Sequence, residues 1–232
     1  MKNLVETDAI LTKHAGLDKI VLPEGYVASL QAYVEAGKEG IDDQIELLGE
    51  EGLALNTYVG CEEDKEVLLA NIEDLDSHIR VELANYASTL INPLREQLGS
   101  VEVEVSDLAI DYAKSLAESL NNSLRFHNYD SLIAIAKIKG VEPKGKDCLA
   151  FSEYKESYTL YDAKKLIYKA LTWRLFDDSH ADYGHATTIL GLDKEESGVE
   201  EIGFAFSKYS LDIDWLLTHM IFIPKDWILE NK

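Results

Sequence analysis

Between Glu62 and Ile91 the apolar residues Leu68, Ile72, Leu75, Ile79, Leu83, Tyr86 and Leu90 recur at steps of three and four. That spacing lays one apolar stripe along a helix and predicts a long amphipathic helix over about 62–91. Glu62, Glu63, Asp64 and Glu66 crowd its expected first turn, where the positive end of a helix dipole favours carboxylates. Asn92-Pro93 is its expected stop, because a residue before proline avoids helical dihedrals.

The rest of the chain reads in shorter pieces. A short helix is expected over Ala9 to Ala15 and a strand over Lys19 to Leu22. A helix carrying Tyr26, Leu30, Tyr33 and Val34 should end near Gly37, and another should span Ile41 to about Leu48, with Gly49 and Gly52 loosening its end. Val101 to Val105 alternates strictly, as a half-buried strand does. Helices are expected from Ser106-Asp107 to about Leu124 and from about Asn128 to Gly140, and a Pro/Gly/Lys loop over Val141 to Asp147. A strand over Glu156 to Tyr161, a helix capped by Asp162 and running through Phe176, an alternating strand over Glu201 to Ser207 and an apolar segment from Ile213 to Ile223 follow. About seven helices against three or four strands predict an α+β fold, mainly α-helical with a small sheet. The length of 232 residues suits a single domain over 1–232, with a possible division into an acidic helical lobe, 1–99, and a mixed lobe, 100–232.

Charge changes the picture more than any motif. Asp and Glu total 43 against 22 Lys and Arg, a net −21, which disfavours nucleic-acid phosphates and anionic membranes as partners. Residues 1–100 hold 20 acids and 7 bases, net −13, whereas residues 126–174 hold 6 acids and 9 bases, net +3. No run approaches the roughly 20 apolar residues of a membrane span, and the N-terminus shows no secretory h-region, so a cytoplasmic setting, or a particle built inside a cell, is expected. Cys61 and Cys148 lie outside any CxxC pattern and read as buried free thiols.

Catalytic signatures are scarce. The chain has no GxSxG elbow, and Lys144-Gly145-Lys146-Asp147 lacks the glycine spacing of a phosphate loop. Any Ser/His/Asp grouping depends on tertiary proximity, and His14, His78, His127 and His219 stand alone in the sequence. The segment Asp177 to His185 concentrates Asp178, His180, Asp182 and His185, a nitrogen and oxygen donor set that a metal-dependent hydrolase could use. On a helix His180 and His185 would face apart, and Gly184 argues for a solvated loop without metal. Tyr154, Tyr158, Tyr161, Tyr168 and Trp173 fall in the positively charged stretch, and such aromatics anchor protein interfaces. Seven acids over residues 62–76 admit a third idea, an inhibitor mimicking nucleic acid, at about half the charge density of duplex DNA. The favoured expectation is a non-enzymatic structural or interaction protein without cofactor. It would be a building block of a larger protein assembly, a virus or phage particle among the settings, with itself or other subunits as partners.

Overall fold

The computed structural model describes residues 18–38, 43–120, 129–143, 146–192, 198–210 and 214–229. The expected helix over Ala9 to Ala15, together with His14, His127 and Lys144-Gly145, lies outside them. Seven α-helices and six strands are described. In chain order they are α1 (Tyr26–Glu35), α2 (Asp43–Leu55), β1 (Leu68–Leu69), α3 (Ser77–Leu98), β2 (Val103–Val105), α4 (Asp107–Leu120) and α5 (Tyr129–Lys139). There follow β3 (Lys146–Glu153), β4 (Tyr158–Thr159), α6 (Leu160–Phe176), α7 (Gly184–Leu190), β5 (Glu200–Ser210) and β6 (Asp214–Pro224). The fold is α+β, mainly helical with a small mixed sheet, as the pattern predicts.

Four strands form the central sheet in the order β2-β5-β6-β3, with β2 parallel to β5 and the other two pairings antiparallel. Strand β3 is therefore an edge. Helices cover both faces, so β5 and β6 are buried on both sides instead of alternating between core and water. Phe204, Phe206, Met220 and Phe222 point into the larger core with α3, α6 and α7. Ala205, Ile221 and Ile223 point the other way, against α4 and α5. On that second side Gly203 must lack a side chain: a Cβ there would stand 2.2 Å from the Ala109 carbonyl oxygen of α4.

The long helix is displaced from its expected place. Residues 62–76 form a 3-10 turn (Glu62–Glu66), the short strand β1 and further turns, and the helix starts at Ser77. Tertiary demands outweigh periodicity here. The backbone of β1 pairs with β4, the Val67 carbonyl accepts from Leu160 N–H, and Asp64 is buried beside Lys164. Leu69 reaches the core from β1, and Ile72 and Leu75 from the turns after it, while Leu68 is 71% exposed. At the other end Pro93 does not stop α3. The apolar face continues through Ile91 and Leu94, and the Asn92 side chain exchanges two hydrogen bonds with the Val103 backbone at 2.8 and 3.0 Å. The helix closes at Gly99, whose φ of 66° is the left-handed value glycine adopts without strain. Arg95 follows the stripe inward. It is 1% exposed and meets Glu200 at 2.5 Å and the Ile189 and Thr188 carbonyls at 2.9 and 2.7 Å.

Two further corrections bear on the site. Helix α2 runs through Gly49 and Gly52 to Leu55, because these glycines let it lie directly on the end of α6. A Cβ at Gly49 would stand 2.1 Å from the Phe176 carbonyl oxygen, and one at Gly52 would stand 2.4 Å from its ring. The cap of α6 is Thr159, not Asp162. Thr159 Oγ1 accepts from Asp162 N–H while the Asp162 carboxylate accepts from Thr159 N–H, a capping box. Strand β3 had no counterpart in the sequence pattern, which places a loop over its first residues.

Candidate functional site

Helix α6 carries the site: most of its 17 residues are buried, and only Lys169 and Trp173 are exposed. Ala163, Ile167, Tyr168, Leu171 and Leu175 are buried in the larger core. Leu166, Lys169 and Trp173 fall on the opposite side at steps of three and four, and Trp173 is 38% exposed. Where this side crosses edge strand β3, both elements carry small residues, Ala150, Ser152, Ala170 and Thr172, with Thr218 of β6 below them. The missing side-chain volume leaves an apolar cleft of about 410 Å³, walled by Leu53, Leu166 and Trp173, with Lys169 and Glu153 at its rim. A second cleft of about 400 Å³ adjoins it and shares Leu53, but Glu46, Glu50, Asp177 and Asp178 line it. Between the two, Trp173 Nε1 donates to Asp177 Oδ2 at 2.5 Å, which orients the indole.

The five aromatics of this stretch part company. Tyr158 and Tyr168 are core residues at 3% and 2% exposure. The Tyr168 hydroxyl donates to the Lys19 carbonyl, and burial pushes its pKa up to about 12. The Tyr158 hydroxyl accepts from Lys155 N–H at 2.7 Å. Tyr154 is half-buried under Lys208, whose ammonium lies 4.4 Å from the ring centre. Half-buried Tyr161 packs edge-on against Tyr58, with Lys65 4.7 Å from its centroid. Of the five, Trp173 alone both borders a cleft and reaches solvent.

The segment from Asp177 to His185 is a built turn and not a loose loop. Asp178 has no exposed surface, and its Oδ2 accepts from the backbone N–H groups of His185 and Ala186 at the start of α7. Its Oδ1 lies 2.6 Å from His185 Nδ1. Arg174 donates to the Leu149 carbonyl of β3 and, through Nη1, lies 2.9 Å from His180 Nε2. Burial lowers the Arg174 pKa, and the Asp178 carboxylate opposes that shift. The His180 and His185 rings are 6.5 Å apart, and Asp182 is exposed at a left-handed φ of 49°. Asp178 thus spends both oxygens on tying α6 to α7. Among the described residues no group of three or more His, Cys, Asp or Glu stands where it could hold one metal ion. The acidic row over 62–76 has no helix to lie on, and Asp64 is turned inward.

Sequence reasoning missed one constellation altogether. Ser207 Oγ on β5 lies 2.8 Å from His219 Nε2 on β6, and His219 Nδ1 lies 3.6 Å from Asp147 Oδ1 on β3. Only strand register could have revealed it. Ser207 and His219 have no exposed surface, so the trio is a buried polar bridge and no substrate reaches the hydroxyl.

A three-layer arrangement, helices on both faces of a four-stranded mixed sheet, is the class this fold defines. No protein-family profile matches the chain, and neither does any curated protein. Among solved structures it is similar to the CAP domain of Enterococcal PrgA, with a TM-score of 0.77 and 24% identity, over 94% of this chain and 90% of that one. At that identity the likeness speaks for the fold alone. Among the described residues no helix is long and apolar enough to cross a membrane.

Proposed function

We propose that this chain is a protein-interaction module that works by contact and not by catalysis, with the Trp173 cleft as its docking site. One observation carries the reading: a large aromatic side chain, hydrogen-bonded into position, stands exposed at the mouth of an apolar cleft of about 410 Å³. Interface anchors are typically Trp or Tyr beside such a pocket, and a cleft of this size takes one or two apolar side chains. The partner is a protein. The finer expectation, a building block of a larger assembly such as a virus or phage particle, belongs to the same proposal. Photo-crosslinking tests it, with benzoylphenylalanine placed at position 173 and, as control, at the exposed position 24 in the producing cells. A discrete protein adduct from 173 and none from 24 is expected. No adduct from 173, or equal adducts from both positions, overturns the reading.

A second reading has a specific observation in its favour. Asp178 holds His185 through Nδ1, leaving Nε2 of a side chain that is 21% exposed as a proton acceptor. A carboxylate that orients a histidine in this way is the core of a general-base site. Hydrolysis of peptide or ester substrates that vanishes in His185→Ala at unchanged melting temperature carries that reading. Activity surviving the change removes it.

A further inference from the structure

The acidic cleft beside the Trp173 cleft says which partner chemistry fits. Leu53 lines both cavities, and the Trp173–Asp177 hydrogen bond lies between them, so the two clefts are neighbours along α2. Glu46 and Glu50 stand one turn apart on α2, both exposed, and neither makes an ion pair among the described residues. Like charges at that spacing destabilise a helix, and α2 contains no basic residue to offset them. The carboxylates are too dispersed to converge on a metal ion. Four exposed acids, Glu46, Glu50 and Asp177 with Glu153 on the far rim, outweigh the single Lys169. Dispersed negative charge alongside an apolar slot suits an extended cationic ligand with an apolar anchor.

Building on the contact reading, we propose that the two neighbouring clefts together dock a peptide segment of a partner protein in which a bulky apolar residue lies close to Lys or Arg. The apolar side chain enters between Leu53, Leu166 and Trp173, and the cation lies over Glu46, Glu50 and Asp177. Salt screens these exposed carboxylates, so binding weakens as ionic strength rises.

The test is selection of a random peptide library on the purified chain, followed by affinity measurement with the enriched peptides as probes. Peptides pairing Phe, Trp, Leu or Met with Lys or Arg are expected. Their affinity should fall tenfold or more with Glu46→Lys/Glu50→Lys and again with Trp173→Ala, at unchanged melting temperatures. Leu53→Gln, at a 41% exposed position, blocks the slot should Trp173→Ala perturb folding. Enriched peptides that need Trp173 but are acidic or neutral, or that ignore the Glu46/Glu50 change, overturn this inference and leave the contact reading standing. Peptides indifferent to both Trp173→Ala and Leu53→Gln, or no enrichment at all, overturn both.

Discussion

The two sides of helix α6 use the same residue types for opposite ends. On the inner side Lys164 lies 2.8 Å from both Asp64 and Glu82, its side chain 7% exposed. Arg174 is likewise buried and joins β3 to the turn before α7. One residue along, Lys165 has no ion pair among the described residues, and neither has Lys169 a turn later. A rotation of about 100° per residue separates a cation that cannot be removed cheaply from one that can. The aromatics divide the same way, Tyr168 inward and Trp173 outward. The lesson is that charge and aromatic content do not mark a functional side. Commitment to internal partners does, and the uncommitted residues are those left for a ligand.

Lys164→Met strands two carboxylates, one of them buried, and should cost about 3 kcal/mol, read from chemical denaturation. Lys169→Met on the other side is its control. Gly49→Ala forces α2 off the Phe176 carbonyl and should cost about 2 kcal/mol, lifting Leu53 away from both clefts. Hydrogen exchange confined to α2 would show it.

Asp162→Asn breaks the capping box for about 1 kcal/mol, and this effect depends on pH. Burial pushes the Asp162 pKa up, but the Thr159 N–H and hydroxyl and the Lys155 ammonium outweigh it and hold the carboxyl below its ordinary value. A lowered folded-state pKa gives stability that is complete above the unfolded value and is lost as pH falls through the folded one. The variant should therefore match the parent more closely in strong acid than at neutral pH, in melts across that range. The smallest effects belong to the outer side: Lys169→Ala and Trp173→Ala should each shift stability by about 0.5 kcal/mol or less. A melting loss from Trp173→Ala equal to that from Tyr168→Ala would return Trp173 to the core and erase the distinction.

Much of this was readable in advance, though unevenly. Helix α1, strand β2 and helix α4 stand close to their expected places because each shows its period within a few residues and has its own stop or start signal. Cys61 and Cys148 are buried and form no disulfide, as expected from the sequence. The segment over 62–76 misled because Leu68, Ile72 and Leu75 stand at helical steps of four and three, yet Leu69 and not Leu68 is the residue that the strand turns inward. Strand β3 was invisible since its middle, Cys148 to Ser152, alternates neither way in a sheet covered on both faces. Both clefts were illegible. The small residues that create the apolar one come from β3, α6 and β6, and the acids of the other from α2 and the end of α6.

Composition and periodicity alone determined that the chain is acidic, mainly helical and able to bury its own core, because those properties sum over residues or repeat along them. Which lysine is buried, which tyrosine is core and where a cleft opens were decided only by the tertiary structure. Each depends on the distance between residues far apart in the chain, such as Asp64 from Lys164 or Leu53 from Trp173, and no local pattern encodes that distance.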